Sequence, residues 1–512
     1  MKSTNSKKAS FDFPSFIISG SVLLLFVVIA LINAEFVTNT VDYLFGLSAT
    51  YFGVLYQFVL LGTFFIALFL GFSKFGKIRL GNLDKPEMST FKWISIIMCT
   101  LLAGGGIFWA AAEPLSHFLT VPPHPQFSGI EAGSLEAIIP ALTMSFVDWG
   151  FLSWTVLGTL GTIVLMYAHY HKGMPLKPRS LLYPIFGDKI MKNSPFGTFV
   201  DAFSIISVAA GTIGPIGFLG LQASYGVNIL TGIEDNLTLH ISIIVILVAG
   251  AAISAVTGIH KGIQFLSSFN VILAIGLIIG VLILGPAMFI FNNFFGALGL
   301  YVNEFVSLNT FRGDEEWLGF WTVFFFAWFV GYGPMMALFT SRISRGRTIR
   351  ELVLAVAVIA PVVTTFWFTV VGGTGISQEI NVPGSVSDAL AEAGPPAAMM
   401  AITQNLPVST MFGALFLLAT TIFVLTTTDS MSLTISMAIS GDGNPPRWLR
   451  AFYAIVMGAV AIVLVTLGEG SVNALQSFIV VTAVPVVLLL LTTFYTAPKA
   501  AKAMYKNQFG DK

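Results

Sequence analysis

The chain has 512 residues, of which 55% are hydrophobic and 10% charged, with a mean hydropathy of +0.86. A soluble domain carries roughly 25% charged residues to keep its surface wet, so this composition excludes a soluble globular protein and points to a chain threaded through a bilayer. A formal charge of zero gives nucleic-acid binding no support, and the single cysteine, Cys99, excludes an intrachain disulfide and a cysteine-based zinc site.

A membrane helix needs ~20 apolar residues. The polar start, with Lys2, Lys7 and Lys8, leads into an apolar stretch with no small-residue cleavage site, read as a retained first helix. Twelve runs satisfy the length in chain order: 14–34, 50–72, 91–112, 138–168, 200–225, 239–258, 264–291, 319–341, 350–372, 411–437, 449–467 and 472–496. Residues 1–13 form an N-terminal segment and 14–90 two leading helices. Residues 91–291 and 319–496 are two five-helix units, separated by an outer loop at 292–318. Residues 497–512 form a short tail. In the outer loop, 296–308 has apolar residues at helical spacing and is expected to lie along the membrane surface or against a neighbouring subunit.

The loops test this count. All but one of the 25 Lys and Arg residues fall in the N-terminus, in alternate loops at 73–90, 169–197, near 260, 342–350 and 438–450, at Lys92, or in the tail. The other loops hold only Arg312, among acids such as Glu35, Glu131, Asp235, Glu316 and Asp388. Cytoplasmic loops retain Lys and Arg, so both termini are expected on the cytoplasmic side of an inner, or plasma, membrane.

Two helices carry glycine runs at mid-membrane depth: Ala103-Gly104-Gly105-Gly106 in the third, ending at Pro114, and Gly331-Tyr332-Gly333-Pro334 in the eighth. Interrupted helices at corresponding positions of two halves mark a transporter's binding site. The two units start on opposite sides, which makes them candidates for inverted repeats, though glycine runs also serve as packing notches. Carboxylates at Glu113, Asp148, Asp201 and Asp429 fall within or at the edge of spans, where a charge is costly and therefore a candidate for function. His169 and His171 have a spacing that suits a metal clip, but a solvated face is the favoured reading. No histidine pair falls mid-span, which argues against haem or quinone chemistry. The chain is not read as an enzyme and no cofactor is expected. Broken helices also suit alternating access better than an open channel.

The stretches GIFWAAAEPLSHF (106–118), DWGFLSWTVLG (148–158), RSLLYPIFGD (179–188), GIHKGIQFLSSFNVILA (258–274), SRISRGRTIRELVLAV (341–356), FWFTVVGGT (366–374) and FVLTTTDSMS (423–432) resemble the betaine/carnitine/choline transporter family across nearly the whole chain. The resemblance implies an all-α membrane protein of twelve transmembrane helices. Its core, spans 3–12, is an inverted repeat of the leucine-transporter type preceded by two extra helices, and it assembles as a homotrimer. It implies secondary transport of a small quaternary amine or zwitterion with sodium as coupling ion. A proton-coupled or cation-independent exchanger is the alternative.

Family members hold a trimethylammonium group among aromatic faces by cation–π attraction, worth ~2 kcal/mol or more when desolvated. Trp149 and Trp154 match box positions in the fourth span, and both reach one cavity only if that helix faces it obliquely. The third box position there is Leu157. In the eighth span the box tryptophan matches Phe329, flanked by aromatic positions at Trp328 and Tyr332. This weakened box implies a ligand smaller or less methylated than betaine, unless Trp328, Phe329 and Tyr332 re-form it in a shifted register. Gly104 and Gly105 are expected beside the ligand. Asp148 stands where the family has a polar residue or histidine, either as a hydrogen-bonded structural acid or to neutralise a cationic substrate or take up a proton. Glu113, Asp201 and Asp429 fall at familiar positions, with capping or pairing to a loop arginine as the expected role.

For sodium, the resemblance implies the backbone carbonyls of Cys99, Leu102 and Phe423 and the hydroxyls of Thr426 and Thr427. No lysine or arginine lies inside a span to replace the ion. A second site would use Thr212, but its partner position is Val208. The osmotically sensing relatives carry long charged extensions, whereas the tail here is only ~16 residues beyond the last span, so activation by hyperosmolarity is not expected.

Overall fold

The computed structural model describes residues 11–192, 194–257, 260–441, 444–470 and 472–510, and within them leaves aside the side chains of 99–104, 260–264 and 267. Each expected apolar run overlaps a helix, although the run 264–291 crosses a break between two. These are α1 (Phe13–Ile32), α2 (Ala34–Phe72), α3 (Thr90–Leu119), α4 (Leu135–His171), α5 (Pro195–Thr231) and α6 (Leu237–Thr257), then α7 (His260–Leu284), α8 (Glu315–Ile343), α9 (Ile349–Asn381), α10 (Ser409–Ser440), α11 (Arg447–Leu467) and α12 (Asn473–Phe509). Among the described residues there is no strand beyond one isolated bridge, Arg79 to Thr348. Helix is what an apolar segment must adopt in lipid, because it satisfies every backbone group internally.

Ten of the twelve are long and apolar enough to cross a membrane. An eleventh follows if Ser268–Leu284 and the bent helix after it, Ala287–Asn303, form one span; the two are bent by 112°. The remaining expected crossing, α3, is a helix of 30 residues. The helix anticipated at 296–308 begins earlier, at Ala287, and ends at Asn303.

Local signals set the helix ends. Asp12 caps α1 through the Ser15 amide, with Pro14 in the first turn. Ser194 does the same for α5. Thr348 and Glu351 form a reciprocal capping box at the start of α9. Gly441 closes α10 at φ 65°, a left-handed conformation that favours glycine.

Burial sorts the helices into layers. In α4, α5 and α8, 94% of the spanning window is buried, against 28% in α1 and α6. The outer helices present Leu31, Tyr51, Phe69, Ile246 and Ile283 outward, each more than half exposed. That is the apolar surface a bilayer covers. In the core, α3 packs on α9 while α8 packs on α4; α3 packs on α10 while α8 packs on α5; α6 packs on α10 while α11 packs on α5. Exchanging α3–α7 with α8–α12 maps each pair onto the other.

The basic segments gather at one end of the bundle. Asp12 pairs with Lys177 at 2.7 Å and Arg179 at 2.8 Å. Arg79 donates to the Gly346 carbonyl, Arg347 to that of Met88, and Lys499 to that of Pro184, while Gln508 bonds the Arg79 backbone.

Both glycine runs differ from expectation. α3 and α8 pass through Gly105–Gly106 and Gly331–Pro334 as helix, with Pro114 and Pro334 accommodated inside. The glycines serve close approach instead. A Cβ on Gly331 would stand 2.5 Å from Ser207 Oγ, and one on Gly333 2.7 Å from Leu490 Cδ1. The interruptions lie in α4, at Gly150 (φ −93°, ψ −137°) and Thr159 (φ −110°, ψ −88°), and near the start of α8 at Trp321.

Candidate functional site

The interruption at Gly150 follows Trp149 directly and sets that indole apart from the rest of α4. A Cβ at Gly150 would lie 3.0 Å from the Tyr301 ring and closer still to the Phe146 carbonyl, so only glycine fits the bend. Trp149 is 2% exposed and donates its Nε1–H to Glu113 Oε2 of α3 at 2.8 Å. A hydrogen bond of this kind contributes about 0.5–1.5 kcal/mol and sets the ring's orientation.

Four aromatic rings surround Trp149. Its centroid lies 5.3 Å from Phe325, 5.9 Å from Trp328 and 5.3 Å from Phe329, all edge-on, and 5.1 Å from Phe368 of α9. Trp328 is anchored from the far side, its Nε1–H donating to the Gly211 carbonyl of α5 at 3.0 Å. Tyr332 shares a hydrogen bond with Thr212 at 3.1 Å. Gly105 of α3 sits where the two indoles meet: a Cβ there would come within 2.4 Å of Trp328 Cη2 and 2.9 Å of Trp149 Cη2. Four helices, α3, α4, α8 and α9, thus converge on one aromatic cluster, and α5 ties down its edge.

Of the candidates from the sequence, Trp149, Trp328, Phe329 and Gly105 come together, and Tyr332 borders them through Gly211. Trp154 is buried on the far side of the Gly150 bend, and no ring pair joins it to the cluster among the described residues. Cys99, Leu102 and Gly104 fall in the stretch of α3 whose side chains are left aside. Phe325 and Phe368 are members the sequence reading missed. Phe325, Trp328, Phe329 and Tyr332 repeat at i, i+3, i+4, i+7, a single helical face that could have revealed Phe325. Phe368 carries no such signal.

The carboxylates divide. Asp201 pairs with Arg179 at 2.6 Å and Asp429 with Arg450 at 2.7 Å, both buried, as expected of acids meeting arginines at the loop ends. Glu113 does not meet a loop arginine. It holds Trp149 and lies beside His117, 3.7 Å away, and Asp148. The reason is position: Glu113 is one helical turn before His117 on α3, deep under Trp317 and Trp321, whose rings cover His117.

Among the threonines of α10, Thr426 turns its hydroxyl back onto the carbonyls of Ile422 and Phe423 at 2.8 and 3.2 Å. The Thr427 and Thr428 hydroxyls are buried and make no hydrogen bond among the described residues. Thr212 is committed both to the Val208 carbonyl and to Tyr332.

Comparison with known proteins agrees with this geometry. The sequence model described as "BCCT, betaine/carnitine/choline family transporter" matches residues 14–506. The chain is 50% identical over 502 residues to the glycine betaine transporter 2 of Vibrio parahaemolyticus, covering 98% of this chain and 92% of that protein. It is 32% identical to a probable glycine betaine transporter of Desulfitobacterium hafniense, covering 95% of this chain and 97% of the relative. It is 31% identical to the ectoine/hydroxyectoine transporter of Virgibacillus pantothenticus, covering 96% and 97%. These relatives are transporters and not enzymes, and the chain, a multi-pass helical membrane protein, belongs to the betaine/carnitine/choline transporter family.

Proposed function

We propose that this secondary transporter imports a compact zwitterionic osmolyte of the betaine or ectoine class, driven by sodium. The observation that carries the reading is the cluster of Trp149, Phe325, Trp328, Phe329 and Phe368 closed around Gly105. Electron-rich faces suit a methylated or delocalised cation, and the names of three relatives point to the same ligand class. The rings now stand against one another, so a ligand enters by parting them.

The coupling ion is assigned to the place where α10 packs on α3. The Thr427 hydroxyl, which makes no hydrogen bond among the described residues, is a hard ligand suited to sodium, with the Thr426 hydroxyl and the carbonyls of Phe423, Cys99 and Leu102 as its intended companions. Thr212 is given a lesser part, because its hydroxyl already serves Tyr332. The two units 91–291 and 319–496 act as inverted repeats, a reading supported by the exchange pattern of helix packing. The end that gathers the termini and basic loops faces the cytoplasm of the inner membrane, and three copies assemble into a homotrimer.

The test is uptake of betaine and of ectoine into proteoliposomes under an inward sodium gradient, a proton gradient, or neither. Sodium-driven accumulation of one of the two is expected. Accumulation driven by protons alone, or exchange indifferent to both gradients, would replace the sodium reading with the family's other modes.

A further inference from the structure

Beside the aromatic cluster lies a second group of side chains, of which the reading above uses only the Glu113 bond to Trp149. Glu113, His117 and Asp148 each offer one ligand atom, and these atoms all lie within 4.8 Å of one another. All three side chains are essentially inaccessible, at 0%, 1% and 0% exposure. Among the described residues Glu113 Oε1, His117 Nε2 and both Asp148 oxygens make no well-formed hydrogen bond, although the Glu113 and Asp148 carboxyls lie close enough to share a proton and Ser145 stands beside Glu113. Among the described residues no lysine or arginine pairs with any of the three. The Thr322 hydroxyl stands beside Asp148 and is buried too.

Two acids and an imidazole brought together away from water are stable either with the acids protonated or with a cation held among them. The donor set says which kind of cation. An alkali ion prefers oxygen alone, whereas imidazole nitrogen with carboxylate oxygen suits a divalent cation of the zinc class. Glu113 and His117, at i and i+4, present both groups from one face of α3, and Asp148 closes from α4. Thr322 or a water supplies the fourth position that a tetrahedral ion requires.

We propose that Glu113, His117 and Asp148 form a buried site for a divalent zinc-class cation, which bolts α3 to α4 directly above the aromatic cluster. Glu113 also holds Trp149 through its other oxygen, so an ion there fixes the indole. Because the rings must part to admit a ligand, the bolted state transports poorly. The ion reaches its ligands only in conformations that open this region outward.

The experiment uses the full-length protein in detergent and in proteoliposomes, stripped with a chelator and then titrated with zinc chloride. Expected are about one tightly held zinc per chain by elemental analysis, a rise in unfolding temperature, and inhibition of uptake that chelator reverses. His117→Gln, checked for a monodisperse folded preparation, should bind zinc at least about tenfold more weakly, with inhibition shifted in parallel. Asp148→Asn gives a second variant from the other helix. The site is overturned if the unmodified protein holds no zinc after stripping and reloading, as a proton shared between the acids would predict. It is equally overturned if both variants bind zinc as the parent does. Metal content is read without transport, so this outcome is independent of which osmolyte or coupling ion is used.

Discussion

The Trp149 indole N–H donates to the Glu113 carboxylate at 2.8 Å, joining a ring on α4 to an acid on α3. The ring contributes its face to the aromatic cluster and the acid fixes the angle of that face, so the two are separable by substitution. Trp149→Phe keeps an aromatic ring and loses the donor; Trp149→Ala loses both. The alanine variant should weaken half-saturation for the transported osmolyte by about 2 kcal/mol, roughly thirtyfold, with phenylalanine in between. Uptake titrations in proteoliposomes measure this. Equal affinity in all three proteins would place the substrate elsewhere.

Gly105 makes a sharper test, because its substitution adds one carbon and removes nothing. A methyl group there collides with both Trp149 and Trp328. Overpacking of this kind costs about 1–3 kcal/mol, and here the strain falls on the two rings the site depends on. Gly105→Ala should therefore fold and insert with a modest loss of thermal stability while uptake falls steeply. Gly276, beside which a Cβ would meet nothing, provides the control position, since Gly276→Ala should leave uptake unchanged.

The large pattern was legible because it follows from solvent physics. Apolar runs long enough to cross lipid, and basic residues confined to alternate loops, foretell the long helices, ten or eleven of which among the described residues can cross a membrane, and the gathering of Asp12, Lys177, Arg347 and Lys499 at one end. The glycine runs were misread as interruptions because glycine both frees a backbone and lets a neighbour approach. At Gly105 and Gly331 the second use prevails, since Trp328 and Ser207 fill the space a Cβ would need. The interruption that shapes the site, at Gly150, rests on one glycine between two tryptophan-bearing turns and gives no composition signal. The Glu113–Trp149 and Trp149–Phe368 contacts join different helices, and no local periodicity foretells such pairs.

Adjacent threonines on α10 should behave differently. Thr426 spends its hydroxyl on Ile422 and Phe423, whereas the Thr427 hydroxyl is buried and unpartnered. If sodium is bound there, Thr427→Val removes a ligand of nearly the same shape and should raise the sodium concentration for half-maximal uptake about tenfold, near 1.4 kcal/mol. Thr426→Val removes a hydroxyl already satisfied by its own helix and should shift it less. The reverse order would show that Thr426 turns away from Ile422 to take the ion.

Asp12 links the start of α1 to the loop before α5, and its titration should be visible in stability. Burial alone would raise its carboxyl pKa. The hydrogen bond and charge of Lys177, the Ser15 amide and the charge of Arg179 outweigh that and hold it below the ordinary carboxylate value. A group lowered in the folded state stabilises fully above its unfolded value, about 3.9 for aspartate, and loses that contribution as pH falls through the folded value. Asp12→Asn keeps an N-cap acceptor for Ser15 while removing the charge, so it isolates the ion pairs. Unfolding temperatures in detergent should separate the two proteins near neutral pH and converge below about pH 4. A gap that stayed constant down to pH 3 would mean that the aspartate contributes through its hydrogen bonds alone, leaving Lys177 and Arg179 to be held by Asp201 and the surrounding backbone.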